Sequence, residues 1–414
     1  MKKMFTLLKL LIILLPCFAF SQPKIELGVD VFFKDGYVEL LKNKKVGLIT
    51  NHTGVDRHLR SSIDLFKQHA LSKEFSLIAL FAPEHGINGK AYAGEKCDDV
   101  KTKGSIPIYS LHGSSKRPTD EMLKEIDVLI YDIQDIGSRS YTYATTLFYV
   151  MEEAAKKKIQ VIVLDRPNPL NGIIVDGPML NSKWRSFFGY VNVPYCHGMT
   201  VGELAQFFNT EYQVGCNLKI IPMRGWERSM NFKETGLAWI PTSPHIPESD
   251  TPLFYASTGI LGELDIVNIG VGYTTPFKVI GAPWIDSTFL SEKLNAQRLP
   301  GVKFVPFNYR PFYGSYKGQD CQGSMIVVTD QSIYRPLAVQ YLIIGILKSL
   351  YPKEVEKKLA SVTTAQKALF CKVNGNEEMF SLLLKEKFVA WKLIQFNESE
   401  RKEFLSIRQK YLLY

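Results

Sequence analysis

The chain has 414 residues, of which 46% are hydrophobic and 22% charged, and a formal net charge of +9. This is ordinary globular composition, long enough for one large domain or two, and it excludes a low-complexity or repeat architecture. The basic residues are scattered, as in "KNKK" at 42–45 and "KKK" at 156–158. No aromatic–basic interleaving points to nucleic acid, whereas a mildly basic surface suits an anionic polymer such as cell wall.

At the N-terminus, Lys2, Lys3 and Lys9 flank and interrupt the apolar run "LLKLLIILLPCFAF", and "AFS" offers small residues at the cleavage positions. This pattern is that of a secretory signal peptide over residues 1–21, cut before Gln22. The alternative, an uncleaved anchor, needs about 20 apolar residues, more than this run supplies. Pro16 is a poor neighbour for a lipoprotein reading of Cys17. Losing the three signal lysines lowers the net charge from +9 to +6. The expected location is periplasmic or secreted, with no stable membrane span after signal removal. Five cysteines then remain (Cys97, Cys196, Cys216, Cys321, Cys371), an odd number without CxxC spacing. That argues against a disulfide framework, though one bridge stays open, and it excludes a zinc ribbon.

Residues 45–220 alternate between apolar runs and helical spacing. "KVGLIT", "FSLIALF", "IPIYSL", "DVLIYDI", "QVIVLD" and "LKIIPM" are predicted strands. "LRSSIDLFKQH", "YTYATTLFYVMEEAAKKK" and "TVGELAQFFNTEY" are predicted helices, the second ending in lysines that suit its negative pole. Continuous apolar strands separated by helices predict a parallel sheet covered on both faces. From Ala238 the texture changes. "IPTSPHIPESDTP" is extended, "VNIGVGYTTPFKVIGAPW" and "VKFVPFNYRPFYGSYKGQDCQGSMIVV" resemble strands with turns, and the tail from Leu337 is helical. The expected organisation is a Rossmann-like α/β subdomain over 22–237 and a smaller α+β subdomain over 238–414, packed on it.

Open parallel sheets bind ligands beyond the carboxyl ends of their strands. The residues found there are Asn51 and His52, then Glu84 and His85, then His112, then Asp132, Gln134, Asp135 and Arg139, then Asp165 and Arg166. His197 and His245 lie in Gly- or Pro-flanked loops, and His58 and His69 in the first helical segment. The joint pattern describes a polar cleft. No dinucleotide fingerprint, P-loop or GxSxG elbow is present. Cys196 beside His197 is a weak nucleophile candidate, because sequence neighbours seldom form a catalytic pair. His52, His85 and His112 with carboxylates allow a metal site, but without HExxH or HxH spacing. Carboxylate acid/base chemistry remains, with Glu84 foremost. It follows a buried strand and Pro83, and desolvation there is expected to raise its pKa and make it a general acid.

Several stretches occur together and in order: "FAPEHG" with "AGE" at 93–95, "YDIQDIGSRSYTY", "LDRPNPLNG", "DGP", "HGMTVGELA" and "GAPW". They resemble the NamZ-type exo-β-N-acetylmuramidase family, from about Val46 to the C-terminus. The resemblance implies two subdomains with the active site in the cleft between them. It implies release of N-acetylmuramic acid from the non-reducing end of peptidoglycan fragments, with no cofactor. It places the family's catalytic glutamate at Glu84 and lines the pocket with His85 and the polar residues after Tyr131. A second carboxylate is then needed, for which Asp132 and Asp135 are candidates, unless the substrate's own acetamide attacks. Arg139 and Arg166 are candidate partners for the substrate's lactyl carboxylate. The remaining strand-end residues and His197 are candidate substrate ligands. Two other readings use the same cleft: a sugar-binding protein without turnover, and a metal-dependent amidase or esterase. One departure stands out: relatives read approximately "EGTNVSEGRGT" before "PF", where this chain has "GELDIVNIGVGYTTPF", 262–277.

Overall fold

Six of the apolar runs form a single parallel sheet in the computed structural model, which describes residues 25–73, 75–100 and 105–414. The signal-peptide reading of residues 1–21 lies outside them. The strands are β1 (Lys45–Thr50), β2 (Ser76–Ala82), β3 (Ile108–Ser110), β4 (Val128–Asp132), β5 (Gln160–Leu164) and β6 (Asn217–Ile221). Their order is β3-β2-β1-β4-β5-β6. The direction of winding reverses between β1 and β4, which pair Ile49 with Tyr131 and Thr50 with Asp132. A doubly wound sheet opens its ligand crevice at this reversal.

Helices cover both faces, which is why β4 is buried along its whole length and β1 at every residue but the first. They are α1 (Gly28–Lys34), α2 (Ser62–Lys73), α3 (Asp120–Leu123), α4 (Thr142–Lys156) and α5 (Val201–Glu211). His58 lies in a turn ahead of α2 rather than in a helix. The start of α5 is fixed by a reciprocal cap. Glu203 N donates to Thr200 Oγ1 at 3.2 Å, and Thr200 N donates to Glu203 Oε2 at 3.0 Å.

Beyond the sheet come α6 (Thr251–Gly262), β7 (Val279–Ala282), α7 (Ser287–Asn295), β8 (Val302–Tyr309), β9 (Cys321–Val328) and α8 (Pro336–Leu350), then shorter helices to Arg408. The three strands form an antiparallel sheet ordered β7-β9-β8. Pro306 is accommodated because β8 is an edge strand. The strand expected across "VNIGVGYTTPF" is a loop instead, tied to β7 by a single bridge from Asn268 to Gly281, and regular pairing is confined to Val279–Ala282. Asn268 satisfies that loop's backbone: its Nδ2 donates to Val271 O and Ser315 O, and its Oδ1 accepts from Gly270 N. Gly272, at φ +87°, permits the close pass, since a Cβ there would lie 2.0 Å from Tyr313 O.

The two parts share one hydrophobic core, which runs from Ile49 and Tyr131 through Tyr195 to Leu337, Ile344 and Phe404. The "DGP" stretch joins them. Asp176, buried, accepts from Arg335 Nη2 at 3.0 Å and from the backbone of Leu337 at 3.0 Å, capping α8 from the other subdomain. Asp176→Ala leaves these donors unmatched and is expected to cost about 1–3 kcal/mol in urea unfolding. Asp176→Asn keeps an acceptor and is expected to lose less; equal losses would contradict the capping role. Among the described residues Cys97, Cys196, Cys216, Cys321 and Cys371 are free thiols. Among the described residues no helix is long and apolar enough to cross a membrane.

Candidate active site

β2 ends at Ala82, and Pro83 carries the chain to Glu84 at the sheet edge. The Glu84 carboxylate is almost fully buried and held at both oxygens. Thr142 Oγ1, in the first turn of α4, donates to Oε2 at 2.6 Å, and Gly94 N donates to Oε1 at 2.9 Å. His112 Nε2 lies 3.7 Å from Oε1. Burial pushes the carboxyl's pKa up, but the bonds from Thr142 and Gly94 and the nearby His112 and His85 outweigh it. The net shift is downward. The expected raised pKa is therefore not found: this carboxylate is desolvated yet well donated to, and it is ionised near neutral pH. Burial also lowers the His112 pKa despite Glu84, so its imidazole is neutral there.

His85 follows in the left-handed region, at φ +71°. This strained conformation turns its ring so that Nδ1 donates to Ala91 O at 2.7 Å.

Glu84 and His85 line a cavity of about 390 Å³ between the subdomains. Ser140, Tyr141 and Thr142 continue that wall. The facing wall includes Ser243, His245, Tyr255, Glu263, Asn268 and Ser315. The loop that departs from its relatives is thus part of the cleft. Glu263 is the second carboxyl here. No hydrogen bond or ion pair holds it among the described residues, and burial raises its pKa to about 7. Tyr255 lies within electrostatic reach of both Glu84 and Glu263.

The other sequence-predicted residues take different parts. Asn51 and His52 are braces: Asn51 Nδ2 donates to Tyr143 OH at 3.1 Å, and Tyr143 OH and His52 Nε2 donate to Thr242 O and Pro241 O, both at 2.6 Å. They hold the segment that brings Ser243 and His245 into the cavity. Asp132 is closed off as a second catalytic carboxylate. Arg166 donates to it through Nε at 2.6 Å and Nη2 at 3.0 Å, and Ser62 binds it too. The pair is fully buried, so Arg166 is equally closed to a lactyl group. Arg139 is caged by backbone carbonyls of Pro178, Val193 and Asn374, each at 2.7 Å, which pin the second subdomain to the first. Gln134 bonds Asp135 O and Pro167 O. Asp165 anchors Thr200, Gly202 and Tyr414. His197 is buried and accepts from Met199 N, its pKa depressed to about 3 by burial and by Arg408 and Arg139. None of these lines the cavity.

Asp135 is also outside the cavity. One oxygen accepts from Gly137 N at 3.0 Å, the other is buried without a partner, and burial raises its pKa from 3.8 to about 7. The folded state therefore favours the protonated carboxyl. That stability is complete below pH 4 and is lost as pH rises through 7. Asp135→Asn keeps the acceptor without the charge. Between pH 5 and 8 the wild type is expected to lose on the order of 2–3 kcal/mol more stability than the variant in denaturant titrations. Parallel losses would contradict this.

Sequence reading missed Ser140, Tyr141, Thr142 and Glu263. Thr142 was findable, since it opens the helix whose N-terminal pole faces a strand-end acid. Glu263 gave no signal, because it follows an apolar helix rather than a strand.

Two family models match the chain: the N-terminal NamZ exo-β-N-acetylmuramidase region over residues 46–250 and the C-terminal region over 253–414. The chain is 38% identical over 395 residues to the peptidoglycan β-N-acetylmuramidase NamZ of Bacillus subtilis strain 168, covering 95% of this chain and 92% of that protein. A crystal structure of a DUF1343 family protein from Bacteroides fragilis NCTC 9343 superposes with a TM-score of 0.87 at 38% identity, covering 94% of this chain and 99% of that one. A second DUF1343 protein from the same strain gives 0.68 at 25% identity, covering 95% and 99%. With a doubly wound subdomain, a smaller α+β subdomain and a buried glutamate between them, the chain belongs to the NamZ exo-β-N-acetylmuramidase family.

Proposed function

We propose that this glycoside hydrolase releases terminal N-acetylmuramic acid from the non-reducing end of peptidoglycan fragments, outside the cytoplasm, with Glu84 as proton donor to the leaving oxygen. The observation that carries the reading is the Glu84 carboxyl, held at both oxygens and facing a cavity at the small end of the roughly 300–1,000 Å³ range of ligand sites. That volume suits one terminal sugar rather than a continuous strand, which is what an exo-acting enzyme needs.

Glycoside hydrolysis commonly uses two carboxyl groups, one protonated and one not. Glu84 and Glu263 supply such a pair. With one pKa below the ordinary glutamate value and the other raised by burial to about 7, the two carry one proton on the acid side of pH 7, and it rests on Glu263. A sugar entering the cleft displaces water from Glu84 and, through its lactyl carboxylate, adds negative charge. Both favour protonated Glu84. Glu263 is then the ionised partner, for a water or for the anomeric carbon. Thr142 and Gly94 fix the Glu84 carboxyl so that little reorganisation is needed at the reacting oxygen.

The test is hydrolysis of a chromogenic 4-nitrophenyl N-acetylmuramide by the full chain. Release of nitrophenol and free N-acetylmuramic acid is expected. Saturable sugar binding without release would favour the binding-protein reading instead.

A further inference from the structure

With Arg139 and Arg166 locked into buried partners, the cleft still needs a cation for a substrate carboxylate. Lys116 Nζ lies 4.0 Å from the Phe187 ring centroid and 5.9 Å from that of Phe188, a residue lining the cavity. Phe187 packs at 5.5 Å against His112, the imidazole beside Glu84. Lys116 thus stands behind the Phe188 wall of the cavity, and Lys372, next to the lining residue Val373, adds positive charge that acts on it. Neither lysine has an acidic partner within ion-pair distance among the described residues. Arg117, next in sequence, is by contrast tied to Glu152 and Glu153.

Positive charge without an acidic partner beside an apolar wall favours a bound anion. Aromatic faces under Lys116 hold its ammonium without neutralising it. Glu84 acts on Lys116 electrostatically, so the cations and the catalytic carboxyl share one field.

We propose that Lys116, assisted by Lys372, binds the lactyl carboxylate of the terminal sugar and so selects an N-acetylmuramic over an N-acetylglucosaminyl terminus. The assignment rests on the muramidase reading above. Phe188 lies against the same pocket and offers an apolar surface to the lactyl methyl. Because the contact is made equally before and during bond cleavage, its loss falls on KM rather than kcat.

The test uses three 4-nitrophenyl glycosides: the N-acetylmuramide, its neutral lactyl amide, and the N-acetylglucosaminide. Lys116→Met is expected to raise KM for the muramide about tenfold, with much smaller changes in kcat and on the other two substrates. Lys116→Arg is expected to restore most of the loss, and Lys372→Met to add to it. An unchanged muramide KM in Lys116→Met, or equal losses on all three substrates, would overturn the proposal. Calorimetric binding of free N-acetylmuramic acid and N-acetylglucosamine separates this from the muramidase reading. If the wild type turns over none of the glycosides, the muramidase reading fails. Lys116→Met must still weaken binding of the muramic acid alone, by about tenfold, for the present proposal to stand.

Discussion

Glu84→Gln is expected to lower kcat/KM on a muramyl-(1→4)-N-acetylglucosamine disaccharide by roughly 10²- to 10⁴-fold, the range of a lost general acid. The effect should depend on the leaving group. A sugar alcohol cannot depart without a proton, whereas 4-nitrophenolate is stable at neutral pH. The same variant is therefore expected to retain a much larger share of its activity on the nitrophenyl muramide, about a tenfold loss or less. Fold is not at issue, because glutamine keeps one oxygen for Thr142 Oγ1 or Gly94 N. Thr142→Ala removes only the 2.6 Å donor and is expected to shift activity without abolishing it. Equal losses on both substrates would assign Glu84 to a role other than proton donation, and full activity would remove it from the mechanism.

How far such a site is legible in sequence can be judged residue by residue. β1, β4 and β5 were readable because strands buried on both faces are apolar without alternation. α6 was not, because "TPLFYASTGILG" is buried almost throughout and lacks an amphipathic stripe. Glu84 could be found as the acid that ends a buried strand. Its electrostatic state could not, since burial alone predicts a raised pKa and only the positions of Thr142 and Gly94 reverse the sign. Asp132 had equal standing in the sequence. It loses it because Arg166, after β5, folds across its neighbour strand and takes both its oxygens. Polar residues at strand ends thus divide into those that line the cleft and those that build its floor, and the division depends on contacts between strands far apart in sequence. Glu263 comes from outside the strand ends, where the parallel-sheet rule does not look, and Lys116 lies further along the loop between β3 and α3 than the residues read at the strand end.

Glu263→Gln is expected to cost roughly 10²- to 10⁴-fold in kcat, and to cost it on the nitrophenyl muramide as heavily as on the disaccharide. The ionised partner acts at the sugar, so leaving-group quality does not spare it. Glu263→Ala opens space on that side of the cavity, and added azide is expected to restore part of the rate by attacking the sugar directly. The pH profile gives an independent readout. The catalytically competent pair carries one proton, which is lost above the upper of its two apparent pKa values. Wild-type kcat/KM is therefore expected to fall as pH rises past about 7, the Glu263 value. In Glu263→Gln the only remaining carboxyl of the pair is Glu84, whose pKa lies below the ordinary glutamate value. The alkaline limb of the residual activity should accordingly move to the acid side of pH 4.5. A limb that stays near 7 in Glu263→Gln would mean that another group controls it, and loss confined to the disaccharide would exchange the roles of the two glutamates. The pair is defined by this contrast: the carboxyl rich in donors takes up the proton only as the sugar arrives, and the carboxyl without partners holds it until then.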